Sequence, residues 1–180
     1  MGEVFKVKGV EVGGIYSTNR YGDFVVEGFL RKKVRELTLV YAEVKFITTG
    51  FKKLVAVSEL RRGRVKDPYY PILYGLGFFG EPPLPLDRAA YNVWVGILRR
   101  CYDTTCKEYK YYGSLGVTVS EEWHCFAEFL KYYNKEYIEG FQLDKDLLSE
   151  GEIKEYSPTT CCFLPPKVNM LLAGIARKGG

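Results

Sequence analysis

Leu143-Asp144-Lys145-Asp146-Leu147-Leu148, then Tyr156-Ser157-Pro158, then Cys161-Cys162-Phe163-Leu164-Pro165-Pro166-Lys167-Val168-Asn169 is the stretch on which the reading of this chain turns. Its pattern predicts a strand from Phe141 to Leu148, a polar turn from Ser149 to Glu155 and a second strand from Cys161 to Leu164. A short helix follows, opened by Pro165-Pro166, because proline suits the first turn of a helix. That order puts Asp144 at the end of one strand and Asn169 on the helix packed across it. A carboxylate and an amide oxygen facing one another suit a hard cation such as Mg²⁺ (or Mn²⁺), with water completing the shell. One metal held so can stabilise charge on a scissile phosphate and its leaving oxygen. A plainer reading stands beside it, in which Asp144, Lys145 and Asp146 are a solvated charge cluster on a hairpin and Asn169 caps a loop.

Upstream, Asp87 is a candidate N-cap for a helix whose apolar face carries Tyr91, Trp94, Val95, Leu98 and Cys101. Tyr112-Gly113-Ser114-Leu115-Gly116-Val117-Thr118-Val119-Ser120 reads as a glycine turn running into a short strand. Ser120 is placed to cap a second helix with Trp123, Phe126, Ala127, Leu130 and Tyr133 on its apolar face, and Gly140 ends that region.

The front half differs in kind. From Val4 to Val57 short β-branched and aromatic runs, Phe24 to Phe29 and Leu39 to Ile47 among them, alternate with turns at Gly13-Gly14, Asn19 to Gly22 and Thr48 to Gly50. This spacing predicts a small SH3-like barrel or curled sheet, with Arg31-Lys32-Lys33, Lys52-Lys53 and Arg61-Arg62-Gly63-Arg64-Val65-Lys66 on its connections. Residues 68–87 follow with five prolines, too Pro/Gly-rich for a helix, and read as a linker. The domains expected are therefore 1–67, basic and β-rich, and 88–180, in an α+β protein.

The net charge of +4 is unevenly placed: residues 1–90 hold 15 Lys/Arg against 10 Asp/Glu, and residues 91–180 hold 11 against 12. A basic front suggests phosphate contacts. The aromatic share of 16% can build a core or stack on bases, the core being the commoner use. No apolar run is long enough to span a membrane, and Met1 to Lys6 has no signal pattern. Five cysteines, an odd number, fit a reducing cytoplasm better than a disulfide framework. Cys101, Cys106, Cys125, Cys161 and Cys162 with His124 lack the spacing of a zinc site, so no zinc is expected. His124 itself reads as a helix-surface residue, with a role as a base the less favoured alternative.

Taken in order, Tyr91-x-x-Trp94, Arg100-Cys101-Tyr102, Tyr112-Gly-x-x-Gly-Val-Thr-Val119, Glu122-Trp123, Phe126-x-x-Phe129 and the 143–169 stretch resemble phage nucleases of the HNH (ββα-metal) superfamily. The likeness extends over nearly the whole chain, including the basic front. It implies a ββα-metal core at the C-terminus, with Asp144 and Asn169 as metal ligands, and Mg²⁺-dependent hydrolysis of DNA phosphodiesters. Lys145 stands where that family carries its catalytic histidine. Lysine is a cation at neutral pH and a poor base, so Lys145 is assigned a charge role on a phosphate or the transition state, and metal-bound water can still supply the nucleophile. Double-stranded DNA is the implied partner, with Arg61, Arg62, Arg64, Lys66, Arg99, Arg100, Lys107, Lys110 and Lys167 as candidate backbone contacts. If phage-encoded, the protein would work in the host cytoplasm. Two rivals remain: the same scaffold binding DNA without cleaving it, and a phage factor that binds a host protein.

Overall fold

Phe24 and Val26, then Ala42, Val44 and Phe46, are buried at every second position, the period of a sheet covered on one face. The computed structural model describes residues 7–82, 85–148 and 154–176. Met1 to Lys6 and most of the turn expected at Ser149 to Glu155 lie outside those residues. By contacts the chain divides into two units, 1–72 and 73–180.

In the first unit β1 (Ile15–Ser17), β2 (Asp23–Val34), β3 (Leu37–Phe46) and β4 (Lys52–Ala56) form one antiparallel sheet in sequence order. The two longest runs predicted from sequence are β2 and β3; the turns at 19–22 and 48–50 fall between strands, and the one at 13–14 leads into β1. A bulge between Val26 and Gly28 shifts the β2–β3 register. The short helix α1 (Val57–Arg61) adds Val57 and Leu60 to the core. Arg31, Lys32 and Lys33 lie within β2, and Lys52 and Lys53 within β4, so these cations sit on strands rather than on connections.

The second unit begins inside the Pro/Gly-rich stretch. Leu73 and Gly77 close a tight turn through paired backbone bonds of 3.0 and 2.8 Å. Leu73, Phe79 and Leu86 pack on the core of this unit. A Cβ on Gly77 would come within 2.6 Å of Leu98, so the absent side chain is what lets the segment lie against the helix.

That helix is α2 (Arg88–Tyr102), capped by the Asp87 side chain, which accepts from the Ala90 amide at 3.0 Å. Its buried face is Ala90, Trp94, Ile97, Leu98 and Cys101, with Tyr91 and Val95 at the margin. Two single 3-10 turns (Tyr109–Tyr111, Gly113–Leu115) lead to β5 (Thr118–Val119). The predicted second helix is divided into α3 (Glu121–His124) and α4 (Phe126–Glu136), because Cys125 is extended. There the Phe78 backbone donates to the His124 carbonyl and accepts from the Phe126 amide, both at 2.9 Å. A β-type bridge thus replaces helical bonds. Ser120 occupies the cap position of α3 without a side-chain capping bond. Phe129, rather than Ala127, is buried beside Phe126, Leu130 and Tyr133.

At the C-terminal end β6 (Gln142–Asp144) pairs antiparallel with β8 (Cys162–Leu164), β7 (Glu155–Tyr156) pairs in parallel with β5, and α5 (Pro166–Ala176) follows β8. The strand expected to reach Leu148 ends at Asp144, whose Oδ1 accepts from the Asp146 and Leu147 amides, both at 2.9 Å. That side-chain turn takes the place of ladder bonds. The aromatic excess is largely structural: Trp94, Trp123, Phe126, Phe129 and Tyr133 are all buried in one cluster.

Candidate functional site

A cavity of about 530 Å³ opens in the second unit where α2, β6 and α5 meet. Asn92, Gly96 and Arg100, spaced by four along α2, furnish one wall, and the residues after Phe141 furnish another. Asp144, Lys145 and Asn169 all line it, so two residues brought together by the sequence argument from separate elements do share one site.

Asp144 is buried, 8% exposed, and the two amide bonds to its Oδ1 hold the carboxylate at the end of β6. Asn169 donates through Nδ2 to Gln142 Oε1 at 3.2 Å, which leaves its amide oxygen as the acceptor end. Lys145 is only 12% exposed along its side chain and pairs with the Asp146 carboxylate, itself 67% exposed. Its Nζ also lies 5.9 Å from the Tyr112 ring centroid. Asp146 and the Tyr112 ring thus hold the Lys145 side chain at the cavity wall.

Arg100, assigned from sequence to DNA backbone contacts, lines this cavity. Its guanidinium carbon lies 5.2 Å from the Tyr112 ring centroid and 5.5 Å from that of Tyr156, and its Nε is buried without a hydrogen-bond partner. Two tyrosine rings therefore orient a cation of fixed, planar shape. Burial pushes the Tyr156 phenol far above its ordinary range, with the neighbouring Arg100 pulling the other way, so at neutral pH the ring carries no charge. Tyr112 and Tyr156 are the site residues that reasoning from sequence missed as functional. Both stood in the quoted motifs, but spacing alone does not bring residues so far apart in sequence onto one side chain.

Tyr112 reaches Arg100 because Gly113 follows it. A Cβ at Gly113 would stand 2.1 Å from the Cys101 carbonyl oxygen and 2.3 Å from the Tyr109 ring, so only glycine lets this turn dock on the end of α2.

The other candidate residues lie elsewhere. Arg99 is half exposed, 3.8 Å from Glu108, and Lys110 lies 4.7 Å from the centroid of the Tyr111 ring. Lys107 and Lys167 are exposed. In the first unit Arg61 donates to the Lys8 carbonyl at 2.5 Å, and Arg62 and Arg64 lie 2.9 and 4.0 Å from Glu59. Lys66 is exposed. His124 is not among the cavity residues; its ring meets Tyr102 edge-on at 6.2 Å, and its Nε2 is buried without a partner.

Among the described residues no cluster of three or more His, Cys, Asp or Glu side chains is arranged to hold a metal. The oxygens available in the cavity are the Asp144 carboxylate and the Asn169 amide. A small set of oxygen donors suits Mg²⁺, which keeps much of its water, better than a softer ion. The cysteines are all free thiols, and burial raises Cys101 to about 11 and Cys161 to about 12.

No known protein family matches this chain, and no solved structure matches it. The chain is 39% identical over 59 residues to small ribosomal subunit protein uS4 of Pyrobaculum arsenaticum, a match covering 33% of this chain. It spans about a third of that relative's length. No described helix is long and apolar enough to cross a membrane.

Proposed function

We propose that the protein binds double-stranded DNA and hydrolyses its phosphodiester bonds with a divalent metal, as an HNH-like endonuclease of phage type. The observation that carries this reading is the meeting of Asp144, Asn169, Arg100 and Lys145 in one cavity. Two oxygen ligands and two cations are what a phosphodiester and its metal require.

In this reading β6, β8 and α5 act as the ββα-metal core, and the first unit is the basic SH3-like partner domain. Asp144 and Asn169 would hold Mg²⁺ or Mn²⁺, and the bound ion would stabilise charge on the phosphate. Arg100, held flat by its tyrosines, takes two phosphate oxygens with its forked donors. Lys145 adds a second positive charge near the leaving oxygen, while Asp146 holds its ammonium in place. The local likeness to a ribosomal protein is in keeping with a nucleic-acid partner. Five free thiols are in keeping with the cytoplasm, a host's if the protein is phage-encoded.

A second reading, DNA binding without cleavage, is favoured by one observation. Asp144 Oδ1 already accepts two amide bonds, and a lysine stands beside it where the family has its base. Supercoiled plasmid in Mg²⁺ and in Mn²⁺ separates the two. Asp144→Asn keeps an acceptor for both amides and removes the charge; Asn169→Ala removes the second ligand. Wild type is expected to nick or linearise plasmid, and each variant to lose about 100-fold or more, the several kcal/mol a metal supplies. Intact plasmid and intact phage genomic DNA with wild type would sink the nuclease reading and leave the binding one.

A further inference from the structure

We infer that the distal β2–β3 hairpin, residues 31–39, is the element of the first unit that enters the major groove of double-stranded DNA. The inference rests on the DNA-partner half of the function proposed above and is independent of hydrolysis at Asp144.

Pairing of β1 to β2 stops at Val25, and pairing of β4 to β3 begins at Tyr41. Beyond those points β2 and β3 pair with each other through Lys32↔Leu39, Lys33↔Thr38 and Val34↔Leu37. Every residue from Arg31 to Leu39 is exposed. The sheet thus narrows to a two-stranded ribbon, an element that the B-DNA major groove, about 12 Å wide, admits.

The composition of the ribbon fits that setting. Arg31, Lys32, Lys33 and Arg35 stand against one carboxylate, Glu36. Cross-strand partners share a face and neighbours along a strand alternate, so Lys32 is on one face with Val34, Leu37 and Leu39, and Lys33 is on the other with Arg31 and Thr38. A flat anionic surface would meet cations on one face only. A groove has a phosphate wall on each side. Val34, Leu37 and Leu39 are 40, 68 and 39% exposed, and aliphatic groups of this kind pack on thymine methyls at the groove floor.

The tip adds a separate observation. Arg35 has φ +55°, with the ribbon reversing through residues 35 and 36. In a two-residue hairpin loop a positive φ at the first position is normally met by glycine. An arginine there holds a cation at the tip at the expense of backbone strain.

The test is fluorescence anisotropy of the full chain in EDTA, which prevents cleavage, titrating a labelled DNA duplex and an RNA duplex of the same sequence over a range of salt. Lys32→Ala with Lys33→Ala is expected to weaken DNA binding about tenfold or more and to flatten the log–log salt dependence by about 1.8, two phosphate contacts' worth. Thr38→Lys, which adds a cation at an exposed position, is expected to tighten binding, a result that misfolding could not produce. RNA is expected to bind less tightly, since the A-form major groove is too narrow for a ribbon. If wild type binds DNA and the double variant matches it in affinity and slope, the hairpin assignment fails and the DNA reading survives. RNA bound as tightly as DNA overturns the groove assignment. Wild type binding no duplex DNA overturns both.

Discussion

Arg100 draws its role from its neighbours. An arginine near the end of an amphipathic helix reads as a surface cation, and in sequence it is indistinguishable from Arg99. The rings of Tyr112 and Tyr156 separate the two, since they hold Arg100 in the cavity while Arg99 lies beside Glu108. Arg100→Lys keeps the charge and loses the planar fork, so cleavage of plasmid is expected to fall about tenfold or more with little change in thermal stability; equal rates would remove Arg100 from the site. Cys101 and Cys161 make a prediction of another kind. Burial raises both thiols, to about 11 and about 12 against the ordinary 9, so the folded state resists their ionisation. Their contribution to stability is complete below pH 9 and drains away as pH rises from there through the folded values, because only the unfolded chain readily forms thiolate. Denaturant midpoints measured across that range should fall, and Cys101→Ser with Cys161→Ser should make the fall shallower.

Among the elements, α2 is the most legible from sequence and still hides its function. Its cap at Asp87 and its apolar periodicity locate it, but the wall made by Asn92, Gly96 and Arg100 is visible only once β6 and α5 lie opposite. Glycine inside a helix costs about 1 kcal/mol against alanine, and a Cβ at Gly96 would meet nothing within 4 Å. Gly96→Ala should therefore raise stability by about that amount. Gly96→Phe should fold as well, yet fill the cavity and abolish whatever binds there; a Gly96→Phe protein that still bound and cleaved DNA normally would show the cavity to be irrelevant. Gly113 is the opposite case. The 2.1 Å approach to the Cys101 carbonyl is to backbone, which cannot swing aside, so Gly113→Ala should lower the melting temperature markedly and disturb Arg100 through Tyr112.

For the molecule as a whole, two core clusters share no residue, one around Val26, Val44 and Phe46 and one around Trp94, Trp123 and Phe126. Substitutions in separate cores should then add, so Val44→Ala and Trp94→Ala are expected to show a coupling within about 0.5 kcal/mol in a double-mutant cycle. A larger coupling would show the two cores to be linked. The change from a β-rich front to a helical back, the α2 cap, the β2 and β3 runs, and the chain order that leads from Asp144 to Asn169 were determined by the sequence alone. Each rests on local physics: alternation with period two, apolar recurrence with period 3.6, and the conformational limits of glycine and proline. Only the tertiary structure decided the rest. Phe78 breaks a helix at Cys125 by supplying backbone bonds from far along the chain, Leu73 and Phe79 of the Pro/Gly-rich stretch pack against a core, and two tyrosines meet one arginine. Those outcomes depend on which surfaces lie against each other when apolar area is buried, and no periodicity within one segment records its distant partners.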